Sequence, residues 1–205
     1  MEPNAYLSLF TVGHSNHDEK AFLDLLLRHQ IQVLVDVRSQ PYSRYAPHFN
    51  SAPLGHLLAV EAIEYVAMGP QLGGRPEEAE CYDEEGHVLY RRLAETPRFL
   101  EGIGQLGKHM DRGRVAMMCS EEDPSICHRH LLIARVLSQR DLKMGDVKIH
   151  HIRGDGRVQS EEDVRSSARG GDARQSMLFA ELEQDSWRSV RSVLRKAVQP
   201  KSSES

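Results

Sequence analysis

The chain has 205 residues, 40% hydrophobic and 27% charged, with a formal net charge of −4. That composition fits a globular protein whose main domain buries its own core, and it carries no global basic signature for nucleic acid. Three cysteines are too few for a disulfide framework and no apolar run reaches membrane-spanning length, so a reducing cytoplasm is expected and a membrane partner is not.

In chain order, LFTV (9–12) reads as a first strand ending at Gly13. HDEKAFLDLLLRH (17–29) follows with Phe22, Leu25 and Leu26 at helical spacing and Asp18 as N-cap. VLVDV (33–37) is a strand covered on both faces, 53–61 a helix, and IEYVAM (63–68) another strand. Thr96-Pro97 opens a helix over 97–110, VAMMC (115–119) is a buried strand, and 124–140 reads as one helix capped by Asp123. VKIHHI (147–152) closes the series. Alternating apolar strands and helices predict an α/β fold: a mainly parallel sheet flanked by helices in a Rossmann-like, three-layer arrangement. This domain spans 1–152. Residues 153–175, rich in Gly, Ser and charge, read as a flexible linker. An amphipathic helix or docking peptide is expected over 176–198 and a disordered tail over 199–205.

Three polar clusters directly follow predicted strands: GHSN (13–16), DVRSQPYSR (36–44) and CSEEDP (119–124). In an open parallel sheet they meet at the carboxyl edge, where ligands bind. Arg38, Arg44 and Arg129, with the hydroxyls of Ser15 and Ser39, form a candidate anion site beside a helix N-terminus. The same arginines would equally pair with Asp36, Glu121 or Asp123. Cys127, read as the fourth residue of its helix and flanked by His128 and Arg129, is the candidate nucleophile. Glu121 and His14 are candidate acid–base groups. Cys119, ending a buried strand, is expected to pack. Cys119, Cys127, His128 and His130 supply metal-ligand types, but His128 and His130 point to different helix faces, so no metal site is expected. No feature specifies a cofactor.

Taken together, TVGHSN, VLVDVRSQPYSR, IEYVAMGPQLGGRP and GRVAMMCSEEDPSICHRHLLIARVL resemble the domain-of-unknown-function family 488, DUF488, over roughly 9–152. Its most specific marks fall on Asp36, Arg38, Ser39, Pro41, Ser43 and Arg44, then on Cys119, Ser120, Glu121, Cys127, His128 and Arg129. The resemblance implies a site at these residues and no defined reaction. Further on, QSMLF (175–179) resembles the bacterial sliding-clamp-binding pentapeptide, with Gln175, Leu178 and Phe179 as anchors. Leu178 and Phe179 packing a C-terminal helix is the alternative.

Three functions follow as expectations. The first is an enzyme acting on a phosphate-bearing nucleotide or nucleic acid in DNA repair or base modification, with an anionic small molecule or nucleic acid, and the sliding clamp, as partners. The second is a cysteine-dependent sulfur-transfer or redox enzyme; the DVR segment resembles rhodanese-like domains, although the rhodanese-type cysteine loop is absent. The third is a non-catalytic anion-sensing module.

Overall fold

The computed structural model describes residues 6–139, 146–168 and 187–193. Strands β1 (Tyr6–Gly13), β2 (Val33–Asp36), β3 (Glu64–Ala67), β4 (Val115–Cys119), β5 (Asp146–Ile152) and β6 (Val158–Ser160) form one sheet in the order β3-β2-β4-β1-β5-β6. Pairing is parallel from β3 through β5, and only β6 runs antiparallel. The fold is therefore α/β with a mainly parallel sheet. The helices are α1 (Glu19–Arg28), α2 (Ser51–Val60), α3 (Gly69–Leu72), α4 (Tyr90–Glu95), α5 (Pro97–Met110), α6 (Arg135–Gln139) and α7 (Glu161–Ala168).

Local chemistry explains the clear boundaries. Asp18 Oδ1 accepts the Ala21 N–H at 2.7 Å at the start of α1, and Thr96 Oγ1 accepts from Phe99 N–H at the start of α5. Proline at the first position of α5 costs no hydrogen bond there. Because strand side chains alternate, neighbouring residues feed two separate cores. Leu9, Val35, Val115 and Met117 pack with Phe99, Ile103 and Leu106 of α5. Phe10, Leu34, Ala116 and Met118 pack with Phe22, Leu26, Leu54 and Leu58 of α1 and α2. Each fully buried Leu or Phe contributes about 1.5–3 kcal/mol through removal from water.

The structure departs from the sequence reading in three places. The helix expected over 124–140 is broken. Pro124–Ile126 forms a 3-10 turn, Cys127 is extended (φ −109°, ψ 143°), Arg129–Ala134 is π-helical, and α6 completes the segment. The Cys127 carbonyl accepts from His130 and Leu131 N–H, so Cys127 opens this helix instead of sitting inside it.

The region expected as a linker is folded through residue 168. Gly156, at φ 84°, allows the tight turn from β5 into β6. Helix α7 follows, with Val164 buried and Glu161 buried between two histidines.

Finally, residues 187–193 are not helical. They lie along the segment before α4, through an antiparallel bridge between Leu89 and Arg188 and a bond from Ser189 N–H to the Val88 carbonyl. The indole of Trp187 donates to the Leu131 carbonyl at 2.6 Å and is covered by the Arg135 guanidinium. Gln175, Leu178 and Phe179 lie outside the described residues. Among the described residues no helix is long and apolar enough to cross a membrane.

Candidate active site

Register places the ends of β1, β4 and β2 side by side: Gly13 opposite Cys119, and Asp36 opposite Met118. The ladder continues past the strand ends, with His14 and Ser15 N–H donating to the carbonyls of Cys119 and Ser120. The three polar loops thus share one edge of the sheet. Gly13 is required there, because a Cβ would overlap the Glu121 carbonyl oxygen.

Beyond this edge lies a cleft of about 430 Å³. Its floor holds Cys119, Cys127 and His128, with Glu121 beside them and Tyr90 below. Its walls come from the β2 loop with Arg38 and Ser39, from Gly74 and Arg75, and from Ser189–Val193. Cys119 Sγ lies 3.1 Å from Glu121 Oε2. His128 Nδ1 is 3.7 Å from Cys119 Sγ and 3.8 Å from Cys127 Sγ, while its Nε2–H donates to the Val37 carbonyl at 3.0 Å. The break at Cys127 makes this grouping attainable, since adjacent residues on a regular helix face 100° apart.

Electrostatics divides the two thiols. Burial opposes ionisation of Cys127, but a hydrogen bond from the Cys119 thiol, the Arg129 charge and His128 together hold it well below the ordinary thiol range. Cys119 is pushed well up, by that same hydrogen bond to Cys127, then by burial and by the neighbouring negative charges. Against its own burial, His128 is raised by its hydrogen bond to Cys127 and the thiolate charge. Of the two thiols on the floor of the cleft, Cys127 is therefore the one that ionises more readily.

The remaining expected site residues have other surroundings. Arg129 is fully buried and donates to the carbonyls of Glu121 and Glu122, so it braces the loop between β4 and the 3-10 turn from behind and does not line the cleft. Arg38 is also buried. Its Nε and Nη2 grip the Asp36 carboxylate, Nη2 also reaches the Phe49 carbonyl, and Nη1 donates to His14 Nε2. The Asp36 carboxylate further accepts from Tyr65 Oη–H, so the DVR sequence builds a buried ion pair that shapes the loop. Buried carbonyls and a carboxylate already take up the two guanidinium groups expected to hold an anion.

His14 stacks on Phe49 and donates from Nδ1 to the Ser15 carbonyl, away from the cleft. Burial and the Arg38 charge lower its pKa to about 4, so it is neutral at pH 7. Arg44 is exposed, bonded to the Tyr45 hydroxyl and stacked on that ring. Ser15, in the left-handed region at φ 46°, borders a separate hollow beside Glu122 and Arg153. Ser39 is in the cleft wall, where Oγ accepts the Arg75 N–H at 2.9 Å. Cys127 and Glu121 line the cleft.

Sequence reasoning undervalued Cys119 and His128. A polar neighbour two residues on, Glu121, was the available sign that the Cys119 thiol has a partner. Residues 187–193 had no local sign of belonging to the wall. As the sequence suggests, His130 points to a different side: His130 Nδ1 and His151 Nε2 both lie 2.9 Å from Glu161 Oε2, and Thr11 Oγ1 is 2.8 Å from His151 Nδ1. That triad satisfies its own polar atoms and locks α7 to the sheet.

No curated protein and no solved structure matches the chain. The family described as Domain of unknown function DUF488 matches residues 18–136, more than half of the chain, and covers β2, β4, Cys119, Cys127 and His128. The chain belongs to the DUF488 family.

Proposed function

We propose that this protein is a cysteine-dependent redox enzyme, carried on a Rossmann-like, three-layer scaffold, in which Cys127 attacks an electrophilic sulfur and Cys119 resolves the product. The observation that carries the reading is the meeting of two thiols, an imidazole and a carboxylate on the floor of one cleft. The Cys127 thiolate attacks a substrate disulfide, forming a mixed disulfide and expelling one substrate thiolate, which takes a proton from His128 or water. Glu121, 3.1 Å from Cys119 Sγ, then accepts the Cys119 proton. The Cys119 thiolate attacks Cys127 Sγ, the second substrate thiolate leaves, and the protein holds a Cys119–Cys127 disulfide. The substrate gains two electrons and the protein loses two; an external thiol returns them.

At the cleft walls, Arg75 and Arg191 are exposed and, among the described residues, neither guanidinium is in an ion pair. They favour an anionic substrate. Action on a nucleotide or nucleic acid was expected from Arg38, Arg44 and Arg129, a helix N-terminus and the clamp-like tail; of these, the guanidinium groups of Arg38 and Arg129 are engaged internally.

The test is exposure of the reduced protein to a small aromatic disulfide, followed by trypsin digestion without reduction. Cys119 and Cys127 share the tryptic peptide 115–129, so an internal disulfide makes that peptide lighter by two hydrogens. Its formation, and its replacement by a lasting mixed disulfide at Cys127 in Cys119→Ser, is the expected result. Faster reaction at Cys81, with 115–129 unmodified, would defeat the proposal.

A further inference from the structure

We infer that the floor of the cleft is also a zinc site, with Cys119 Sγ, Cys127 Sγ and His128 Nδ1 as ligands and a fourth position open to the cleft. The inference rests on the thiol reading in that both place Cys127 Sγ in the cleft beside Cys119 Sγ and His128 Nδ1.

Its main support is distance. In tetrahedral zinc with Zn–S of about 2.3 Å and Zn–N of about 2.0–2.1 Å, each S···N edge is about 3.6 Å. The two S···N separations here are 3.7 and 3.8 Å, and all three donor atoms lie within 4.8 Å of one another. The donors come from two rigid places, the last residue of β4 and the start of the helix after the 3-10 turn, so little movement is needed to close them on an ion.

Orientation of the imidazole is the second support. The Val37 carbonyl can only accept, so His128 Nε2 carries a proton and the ring is fixed with Nδ1 facing both sulfurs. A ligating histidine ordinarily has its other ring nitrogen bonded in this way. Two sulfurs and an imidazole select zinc over magnesium or calcium, which take oxygen ligands.

Three protein ligands leave a position for water or substrate beside the Glu121 carboxylate, whose Oε2 is 3.1 Å from Cys119 Sγ. A closed structural site uses four protein ligands, so this open one belongs to the chemistry of the cleft. Zinc and an electrophile compete for the same sulfur, which makes the ion a reversible cap on the thiol pair. In the other buried cluster with metal-ligand types, His130, His151 and Glu161, both imidazoles are already hydrogen-bonded to one carboxylate oxygen at 2.9 Å.

The experiment titrates the reduced, metal-free full-length chain with Co²⁺ and then Zn²⁺. Expected are one equivalent of Co²⁺, a thiolate-to-cobalt charge-transfer band in the near ultraviolet, intense tetrahedral bands in the visible, and loss of all bands on adding Zn²⁺. Cys81→Ala retains the spectrum, while Cys119→Ser and His128→Gln lose it. Should those variants fold poorly, Zn²⁺ protection of the wild-type chain gives the same answer: Cys119 and Cys127 resist alkylation by iodoacetamide while Cys81 in the unfolded digest labels freely. Weak octahedral cobalt bands without charge transfer, or no protection of Cys119 and Cys127, overturn the zinc site. Disulfide formation by metal-free protein that fails to bind cobalt removes the zinc site alone. Cobalt binding by protein that never forms the disulfide upholds the zinc site and removes only the redox reading.

Discussion

Replacing Glu161 by Gln removes the charge that clamps α7 to the sheet. Its carboxylate lies 2.9 Å from His130 Nδ1 and His151 Nε2 and 2.8 Å from Arg165 Nε. Burial pushes the Glu161 pKa up, but the hydrogen bonds from the two histidines outweigh it and bring the value from 4.5 to about 2. At about 1.4 kcal/mol per unit, that difference amounts to roughly 3 kcal/mol of folding stability. The folded pKa is depressed, so this stability is fully present above pH 4.5 and is lost as pH falls from 4.5 towards 2. His151, lowered from 6.5 by burial, adds a loss of the same sign that starts at higher pH. The assay is urea unfolding followed by fluorescence of Trp187, the sole tryptophan, at several pH values on both sides of 4.5. At neutral pH Glu161→Gln is expected to be about 2–3 kcal/mol less stable than the wild type, with the gap closing as the pH approaches 2. A gap that stays constant through this window would refute the reasoning.

Arg129→Met leaves the carbonyls of Glu121 and Glu122 without their donors. A loss of about 1–3 kcal/mol per orphaned carbonyl is expected in urea unfolding, whereas an unchanged midpoint would mean the guanidinium does not brace the loop. Gly13→Ala forces the Glu121 carbonyl aside and costs about 1–3 kcal/mol, with slower alkylation of Cys127 because the loop carrying Glu121 shifts. Full stability and full reactivity in this variant would count against the close approach. Gly74→Ala crowds the His128 ring and is expected to slow Cys127 alkylation while leaving urea stability within about 1 kcal/mol.

The parallel core was legible because its signals are local. Short apolar runs such as VLVDV and VAMMC read as buried strands, and Asp18 and Thr96 cap their helices by a bond three residues on. Convergence of the three loops followed from parallel pairing alone. What escaped the sequence depends on partners far along the chain. Glu161 looks like a surface acid until His130 and His151 are placed beside it, and this hid a folded segment inside linker-like composition. Arg38 and Arg129 have the composition of an anion site, yet carbonyls and Asp36 reach them first. The break at Cys127 has no strong sequence mark beyond Pro124, but it decides that Cys127 and His128 face the same cleft. Residues 187–193 return to the wall of that cleft from more than fifty positions downstream of Leu131, which no local pattern reports.

The redox reading turns on Cys127 ionising more readily than Cys119 in the cleft that they share. The most direct measurement is the rate of iodoacetamide alkylation at Cys127 in the reduced, metal-free chain, read by peptide mass as a function of pH. A depressed thiol stays ionised to lower pH than an ordinary one, so the fall in rate is expected to begin well below pH 9. A rate that drops about tenfold per pH unit below 9, the profile of an ordinary thiol, would contradict the account.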